Sequence, residues 1–297
     1  MPLPLPTDDP NAVATPGGLY VVATPIGNLE DITLRAIKTL SSVDLIAAED
    51  TRHTGRLLRH YHIDTPLISC HEHNEQQRTP ELIDKIRDGK AVVLVTDAGT
   101  PTVSDPGYRL VRSVIDQGLD VFPIPGVSAT VTALCASGLP TDAFVFQGFT
   151  PKKKGKRGEL LDDLANEPRT LVFFESPRRV TALLDDIRSA MGDRQAVLAR
   201  ELTKLHEEFI RGRLSEIQAR LAERSQIKGE CTLLVAGAPA AETISDTDLE
   251  AALRQALDQS GSHLSSLSKA LARRFNLPRK RVYEMALRVR RENEDIS

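Results

Sequence analysis

Between residues 71 and 75 the chain reads His71-Glu72-His73-Asn74-Glu75, directly after the apolar run Pro66-Leu67-Ile68-Ser69-Cys70. Imidazoles and carboxylates placed there can accept a proton or orient a hydroxyl for attack. His71, Glu72, His73 and Glu75 are therefore the candidate catalytic residues. With Cys70 they also have the donor types of a metal site, but residues two apart on an extended segment share a face. Cys70 cannot readily join His71 and His73 on that geometry, and no metal is expected. A loop facing substrate and a plain surface loop both remain open.

Three loops carry a second kind of chemistry, one done by backbone. Thr24-Pro25-Ile26-Gly27-Asn28-Leu29 and Asp97-Ala98-Gly99-Thr100-Pro101 follow the apolar runs Leu19 to Ala23 and Ala91 to Val95, and Pro125-Gly126-Val127-Ser128-Ala129 follows a third. Each run reads as a buried parallel strand. Glycine at a strand's carboxyl end allows a ligand to approach the backbone closely, and open α/β sheets bind ligands at that edge. Ordinary strand-to-helix turns are the alternative for any one of them. A phosphate-gripping Gly-x-x-x-x-Gly-Lys-Ser/Thr loop is absent, and of Gly-x-Gly-x-x-Gly only Gly27 stands at the first turn. The cleft thus suits a ligand with little or no phosphate, and S-adenosylmethionine has that character. Glu49 and Asp50, ending the next strand, stand where a ribose ligand could come.

Stepping from these loops to what holds them, residues 18–126 alternate strand and helix, which means a mostly parallel sheet covered by helices. One helix is expected to open at Thr79-Pro80-Glu81 and another at Asp105-Pro106. Residues 127–240 read as a second α/β domain with a mixed sheet, and residues 245–297 as a helical region. Ser265 to Phe275 and Arg279 to Arg291, broken at Asn276-Leu277-Pro278, form a helix-turn-helix-like pair that binds RNA or simply packs as a small bundle. Residues 1–17, rich in proline and acid, are expected to be a disordered tail rather than a signal peptide. No apolar run approaches the roughly 20 residues of a membrane span. Three scattered cysteines argue for a reducing compartment, with the cytoplasm the default.

The formal net charge of −3 hides local basic blocks. Lys152, Lys153, Lys154, Lys156 and Arg157 are expected to form an exposed, flexible clamp on phosphates, and Arg279, Lys280 and Arg281 open a basic C-terminal helix. Arg52 faces RNA or solvent. Arg178 and Arg179, just past an apolar strand with Glu175, take either a substrate role or an interdomain salt bridge. Four tyrosines and no tryptophan leave little for base stacking, so phosphate and shape contacts dominate any RNA reading.

The ordered motifs Thr24 to Ile32, Ala48-Glu49-Asp50-Thr51-Arg52, His71 to Glu75, Asp97 to Pro101, Ser104-Asp105-Pro106-Gly107 and Pro125 to Ala129 resemble one branch of the tetrapyrrole methylase family. Phe174-Glu175-Ser176-Pro177-Arg178-Arg179 and Arg200-Glu201-Leu202-Thr203-Lys204 continue the resemblance, which runs from about Gly18 to Arg291. It implies a two-domain α/β fold, S-adenosylmethionine folded into the cleft between the domains, and a homodimer. It further implies 2′-O-methylation of a cytidine ribose in the decoding region of small-subunit (16S) ribosomal RNA; naked RNA and an assembled subunit both remain open as its form, and a binding segment this extended suits the assembled subunit better. By the same resemblance Pro25, Gly27, Asp97, Gly99, Thr100, Val103, Ser128 and Ala129 hold the cofactor, with Leu202 and Glu230 added from the second domain. The family's first loop is commonly glycine-rich and its second commonly reads Gly-Asp-Pro. This chain departs at both, which turns the reading away from corrinoid and porphyrin substrates. A small-molecule methylase and a non-catalytic RNA-binding assembly factor are the competing functions.

Overall fold

Short apolar runs bounded by glycine, proline or a capping residue become the strands of the first sheet. The computed structural model describes residues 15–239, 245–260, 264–275 and 277–296. Most of the expected tail (residues 1–14) and most of the stretch joining the helical region (240–244) lie outside them. Strands β1 (Gly18–Val22), β2 (Leu45–Ala48), β3 (Leu67–Ser69), β4 (Ala91–Val95) and β5 (Val121–Ile124) pair in the order β3-β2-β4-β1-β5. Every pairing is parallel.

Helices α1 (Leu34–Ser42), α2 (Thr51–His60), α3 (Glu75–Arg87), α4 (Tyr108–Asp116) and α5 (Ala129–Cys135) connect or follow these strands. Alternate strand residues point to opposite faces, and both faces are covered. Tyr20, Val22, Ile46, Ala48, Val93 and Val95 pack with α1 and α2 residues Ile37, Leu40 and Leu58. Leu19, Leu45, Ala47, Val92 and Leu94 pack with Leu82 and Ile86 of α3 and Leu110 and Val114 of α4. Adjacent strands β1 and β4 therefore send their connections to opposite faces. That divergence opens the crevice at which doubly wound sheets bind ligands.

Two helix starts differ from expectation. Helix α3 begins at Glu75, four residues before Thr79, and carries Pro80 inside it. The turn ahead of it is set by Asn74, whose Oδ1 accepts from His71 N–H (2.8 Å) and whose amide donates to Ser69 Oγ (3.1 Å). Burial of Thr79, Leu82, Ile83 and Ile86 then holds the helix despite the missing proline N–H. Helix α4 starts at Tyr108, because Gly107 takes the left-handed N-cap conformation at φ 117°. A Cβ there would lie 2.5 Å from Leu94 Cδ2, so only glycine fits.

The second sheet contains β6 (Phe144–Phe149), β7 (Thr170–Glu175), β8 (Gln195–Arg200), β9 (Glu208–Arg213) and β10 (Cys231–Val235), in the order β6-β7-β10-β8-β9. It is mixed: β6 and β7 are parallel, whereas β10 runs against β8. The antiparallel sense follows from Ala236 N–H donating to Gln195 O (2.8 Å) while Glu201 N–H donates to Glu230 O (3.1 Å). Helices α6 (Lys154–Asp163), α7 (Val180–Met191) and α8 (Leu214–Ala222) accompany these strands.

Helices α9 (Asp246–Ser260), α10 (Leu264–Arg274) and α11 (Arg279–Ile296) have their own core of Leu249, Leu253, Leu271, Phe275, Val282, Ala286 and Val289. The C-terminal region is thus a small three-helix bundle. Among the described residues no helix is long and apolar enough to cross a membrane.

The chain divides into two compact units. The first takes in residues to Gly138 together with Ala199–Phe209 and Gly229–Thr232, and the second the remainder. The unit boundary after Gly138 places α5 in the first unit and lies within residues 125–140, where the alternation of strand and helix breaks.

Candidate functional site

The loops after β1 and β4 meet where the two connections diverge. Thr24 and Gly99 exchange N–H···O bonds of 2.9 Å each, a single antiparallel bridge across the carboxyl edge. Gly99 sits at φ 87°, a conformation few side chains tolerate. Thr100 Oγ1 donates to Val127 O (3.2 Å), tying the third loop to the second. Ser128 is the N-cap of α5, and its side chain makes no capping bond. Nearby Thr130, 5% exposed, has a hydroxyl with no partner among the described residues. Pro25, Gly27, Asp97, Gly99, Thr100, Val103, Ser128 and Ala129 all belong to these three loops or their immediate continuations.

Leu202 and Glu230 belong to segments folded onto the first unit. Asn28 N–H donates to Thr203 Oγ1 (3.0 Å), and Lys204 Nζ bridges Glu201 (2.9 Å) and Glu230 (3.1 Å). Gly27 is the contact point: a Cβ there would run into Lys204 Cγ and lie 2.8 Å from Thr203 Oγ1 and 2.9 Å from Leu202 O. Leu202 is buried, while the Glu230 side chain is largely exposed.

Carboxylates gather beside the bridge. Thr96 Oγ1 donates to Glu49 Oε2 (2.5 Å), and Asp50 N–H donates to Asp97 Oδ1 (3.1 Å). Burial, then the charge of Glu49, pushes Asp97 up from its ordinary value. The same two causes push Asp105 up to about 6. A crowded acidic edge of this kind favours a positively charged ligand group. Asp105 was not singled out by the sequence, although it lies in one of the quoted motifs; its effect arises from burial beside Glu49, which spacing does not reveal.

Between α2 and the loops after β1 and β4 lies a cavity of about 240 Å³. Pro25, Leu29 and Leu57 give it apolar walls, Thr24, Thr54, Thr96 and Asp97 polar ones, and His53 and Arg56 flank it. Thr54 is 2% exposed and its hydroxyl has no partner among the described residues.

The candidate proton acceptors stand at the same sheet edge but after β3, with β2 between that strand and β4. None of them lines the cavity. Glu72 and His73 are exposed, and the His71 and His73 rings sit 6.1 Å apart. Glu75 is different in kind. It is 5% exposed, and its Oε1 accepts from Leu110 N–H (3.0 Å) in the first turn of α4. We read it as the structural cap that Gly107 lacks the side chain to provide.

Several candidate RNA contacts are also occupied elsewhere. Lys154, Lys156 and Arg157 lie in the first turn of α6 rather than in a loop, with Lys152 and Lys153 just ahead. The four lysines are exposed, but Arg157 turns inward to Asp186 at 2.5 Å, its side chain 11% exposed. Arg179 pairs with the buried Glu175 at 2.5 Å and donates to Thr150 O (3.0 Å). Burial alone would raise the Glu175 carboxyl, but hydrogen bonds from Arg179, Ser176 and Thr150 outweigh it and the net shift is downward. Both arginines hold the second unit together, and Arg178 alone of that pair stays exposed. Arg52 is exposed and paired with Asp50 (2.7 Å). In the bundle Arg281 pairs with Asp246 (2.5 Å), while Arg279 and Lys280 line a cavity of about 410 Å³ with Ser265 and Tyr283.

The chain as a whole has relatives among known proteins. The sequence profile of the Tetrapyrrole (Corrin/Porphyrin) Methylases matches residues 18–218. The chain belongs to the tetrapyrrole methylase family. A relative from Synechocystis sp., named ribosomal RNA small subunit methyltransferase I, is 47% identical over 91% of this chain and 98% of its own. One of the same name from Halalkalibacterium halodurans is 52% identical over 74% of this chain and 76% of its own. Among solved methylases of the family, the uroporphyrin-III C-methyl transferase from Thermus thermophilus, complexed with S-adenyl homocysteine, superimposes with a TM-score of 0.53. That match is 20% identical and covers 73% of this chain and 97% of that one. At such identity it speaks for the methylase fold alone.

Proposed function

We propose that this protein transfers a methyl group from S-adenosylmethionine to the ribose 2′-oxygen of a cytidine in the decoding region of small-subunit ribosomal RNA. The observation that carries this reading is the near-full-length identity, 47% with 98% of the relative covered, to a protein named ribosomal RNA small subunit methyltransferase I. The reading includes a homodimer, a cytoplasmic location and an assembled subunit as the form in which the RNA is met.

The donor set fits the cofactor. Backbone at Gly99 and at the start of α5, and the unpartnered Thr130 hydroxyl, suit a polar ligand with little phosphate. Glu49, Asp97 and Asp105 suit its positive charge. When bound, S-adenosylmethionine supplies an electrophilic methyl group on a cationic sulfur. The protein's own task is then to align the attacking ribose oxygen, exclude water, and take up one proton. His53 and Asp97 flank the cavity beside the cofactor loops. His71, Glu72 and His73 retain their candidacy as proton acceptors from the loop after β3, without Glu75. Exposed Lys152, Lys153, Lys154 and Lys156 supply affinity for phosphates, as do Arg279 and Lys280 of the bundle.

The test is tritium transfer from labelled S-adenosylmethionine to small ribosomal subunits from cells lacking this gene, followed by nucleoside analysis. Label in 2′-O-methylcytidine is expected. Cofactor binding without label in RNA would refute the reading. Removal of residues 246–297 should abolish transfer to subunits; full activity of the truncated protein would take the bundle out of substrate recognition.

A further inference from the structure

We propose that the cavity between α2 and the loops after β1 and β4 receives the base of the nucleotide being methylated, and that Thr54 and Asp97 read the amino-bearing edge of a cytosine there. This deepens the reading given under Proposed function and rests on it. Pro25, Leu29 and Leu57 supply apolar walls, and the volume of about 240 Å³ suits one small ring system with part of its ribose. An extruded base is held between apolar side chains and read on its pairing edge.

Thr54 gives the cavity its specificity. A threonine inside a helix ordinarily returns its hydroxyl to the carbonyl four residues back. Thr54 N–H does donate to Asp50 O (3.0 Å), yet the hydroxyl has no partner among the described residues and the residue is 2% exposed. A buried hydroxyl without a partner is unfavourable in the free protein. A ligand atom at this position removes that cost. Asp97 Oδ1 already accepts from Asp50 N–H, and the carboxylate has further lone pairs to offer. A carboxylate accepts from the exocyclic amine of cytosine, whereas the O4 of uracil would face it as a second acceptor. The Thr54 hydroxyl then donates to the ring nitrogen beside the amine. Arg56, exposed at the rim, can meet the adjoining phosphate.

The cavity abuts the cofactor loops without coinciding with them. Of the residues implied for the cofactor, Pro25 and Asp97 line it, whereas Gly99, Thr100, Ser128 and Ala129 do not.

The experiment compares wild type, Thr54→Val and Leu29→Trp in transfer to unmethylated subunits, with S-adenosylhomocysteine affinity and melting temperature measured alongside. Thr54→Val keeps the shape and removes the hydroxyl. It should melt at or above the wild-type temperature, bind S-adenosylhomocysteine within twofold, and lose about tenfold in kcat/KM, the equivalent of one hydrogen bond. Its preference for cytidine over uridine at the target position should fall. Leu29→Trp fills the cavity from a partly exposed position and should lose more than a hundredfold while still binding S-adenosylhomocysteine. Unchanged kcat/KM and unchanged base preference in both variants would overturn the proposal. So would a tenfold loss of S-adenosylhomocysteine affinity in Thr54→Val, which would give the cavity to the cofactor. Wild-type protein that labels no RNA would bring down the functional reading itself, and this proposal with it.

Discussion

Glu75 separates two roles that the sequence could not. Its carboxylate is buried and accepts from Leu110 N–H at 3.0 Å, where α4 has no acidic residue in its first turn and no capping side chain. Removing it with Glu75→Ala deletes a hydrogen bond to a charged acceptor, worth about 1.5–3 kcal/mol, and strands a buried N–H. It also removes a negative charge from the positive end of the helix dipole, worth a further ~0.3–1 kcal/mol. A total loss of about 3 kcal/mol corresponds to roughly 6–12 °C in melting temperature for a unit of this size. Glu75→Gln keeps an acceptor oxygen and the shape, so its loss should be about 1 kcal/mol, or roughly 2–4 °C.

The assay is thermal unfolding of both variants together with methyl transfer to subunits below the lower melting temperature. A structural cap predicts graded loss of stability, alanine worse than glutamine, with the Gln variant's turnover within about threefold of wild type. A general base predicts the reverse, because an amide cannot take the proton and general-base catalysis contributes about 10²–10⁴ in rate. Wild-type melting with a hundredfold loss of turnover in Glu75→Gln would refute the capping argument. An unshifted melting temperature in Glu75→Ala would refute the energetics.

The crowded acidic edge makes a pH prediction. Asp105 titrates at about 6 in the folded protein, above its ordinary carboxylate value of 3.8. Between those values the folded state binds more protons than the unfolded, so this residue's contribution falls as pH rises and levels off above 6. Asp105→Asn should therefore raise the melting temperature at pH 7.5 and leave it nearly unchanged below pH 4; an equal shift at both would refute the assignment. For the basic segment, reversing Lys152, Lys153 and Lys154 to glutamate should weaken RNA binding and flatten its dependence on salt. Arg157→Ala should instead lower the melting temperature by several degrees and leave the salt slope alone, since its partner is Asp186. Equal salt slopes in the lysine variant and wild type would dismiss the clamp. Gly27→Ala should push the first loop off Thr203 and Leu202 and cost more than tenfold in S-adenosylhomocysteine affinity by calorimetry, with the circular dichroism spectrum retained; unaltered affinity would show that this contact does not shape the cofactor site.

What could be read in advance was local. Val93 and Leu94 announce a strand buried on both faces, and Asp97 to Pro101 announces the turn after it, because apolar runs and glycine act at short range. The side chains were harder. Arg157 looks like its lysine neighbours in sequence, and only the packing of α6 against α7 turns it toward Asp186. Glu75 lies within a polar cluster, yet its burial depends on α4, some 35 positions along. Thr54 is an ordinary helix threonine until α2 is seated on the sheet and its hydroxyl is left without a partner. Nothing local announces that residues 199–209 return to the first unit and meet Gly27.

Backbone strain is concentrated in two of these same segments. Among the described residues five other than glycine have positive φ, and four of them are Thr102, Ser104, Glu201 and Thr203. Left-handed conformations cost about 1–2 kcal/mol for such residues, so each pair is tolerated only because its surroundings hold it. Thr102 and Ser104 flank Val103, an exposed residue that the resemblance implies for the cofactor, and Thr102 N–H is fixed by Pro106 O at 3.3 Å. Glu201 and Thr203 flank Leu202, a second residue that the resemblance implies for the cofactor, and are fixed by the Lys204 bridge and by Glu207, whose carboxylate takes Thr203 N–H at 2.6 Å. In both places a hydrophobic residue, exposed at Val103 and buried at Leu202, sits between two strained neighbours. The same backbone solution on two segments a hundred positions apart is what a rigid ligand seat requires, because a relaxed loop would have to be ordered at each binding event.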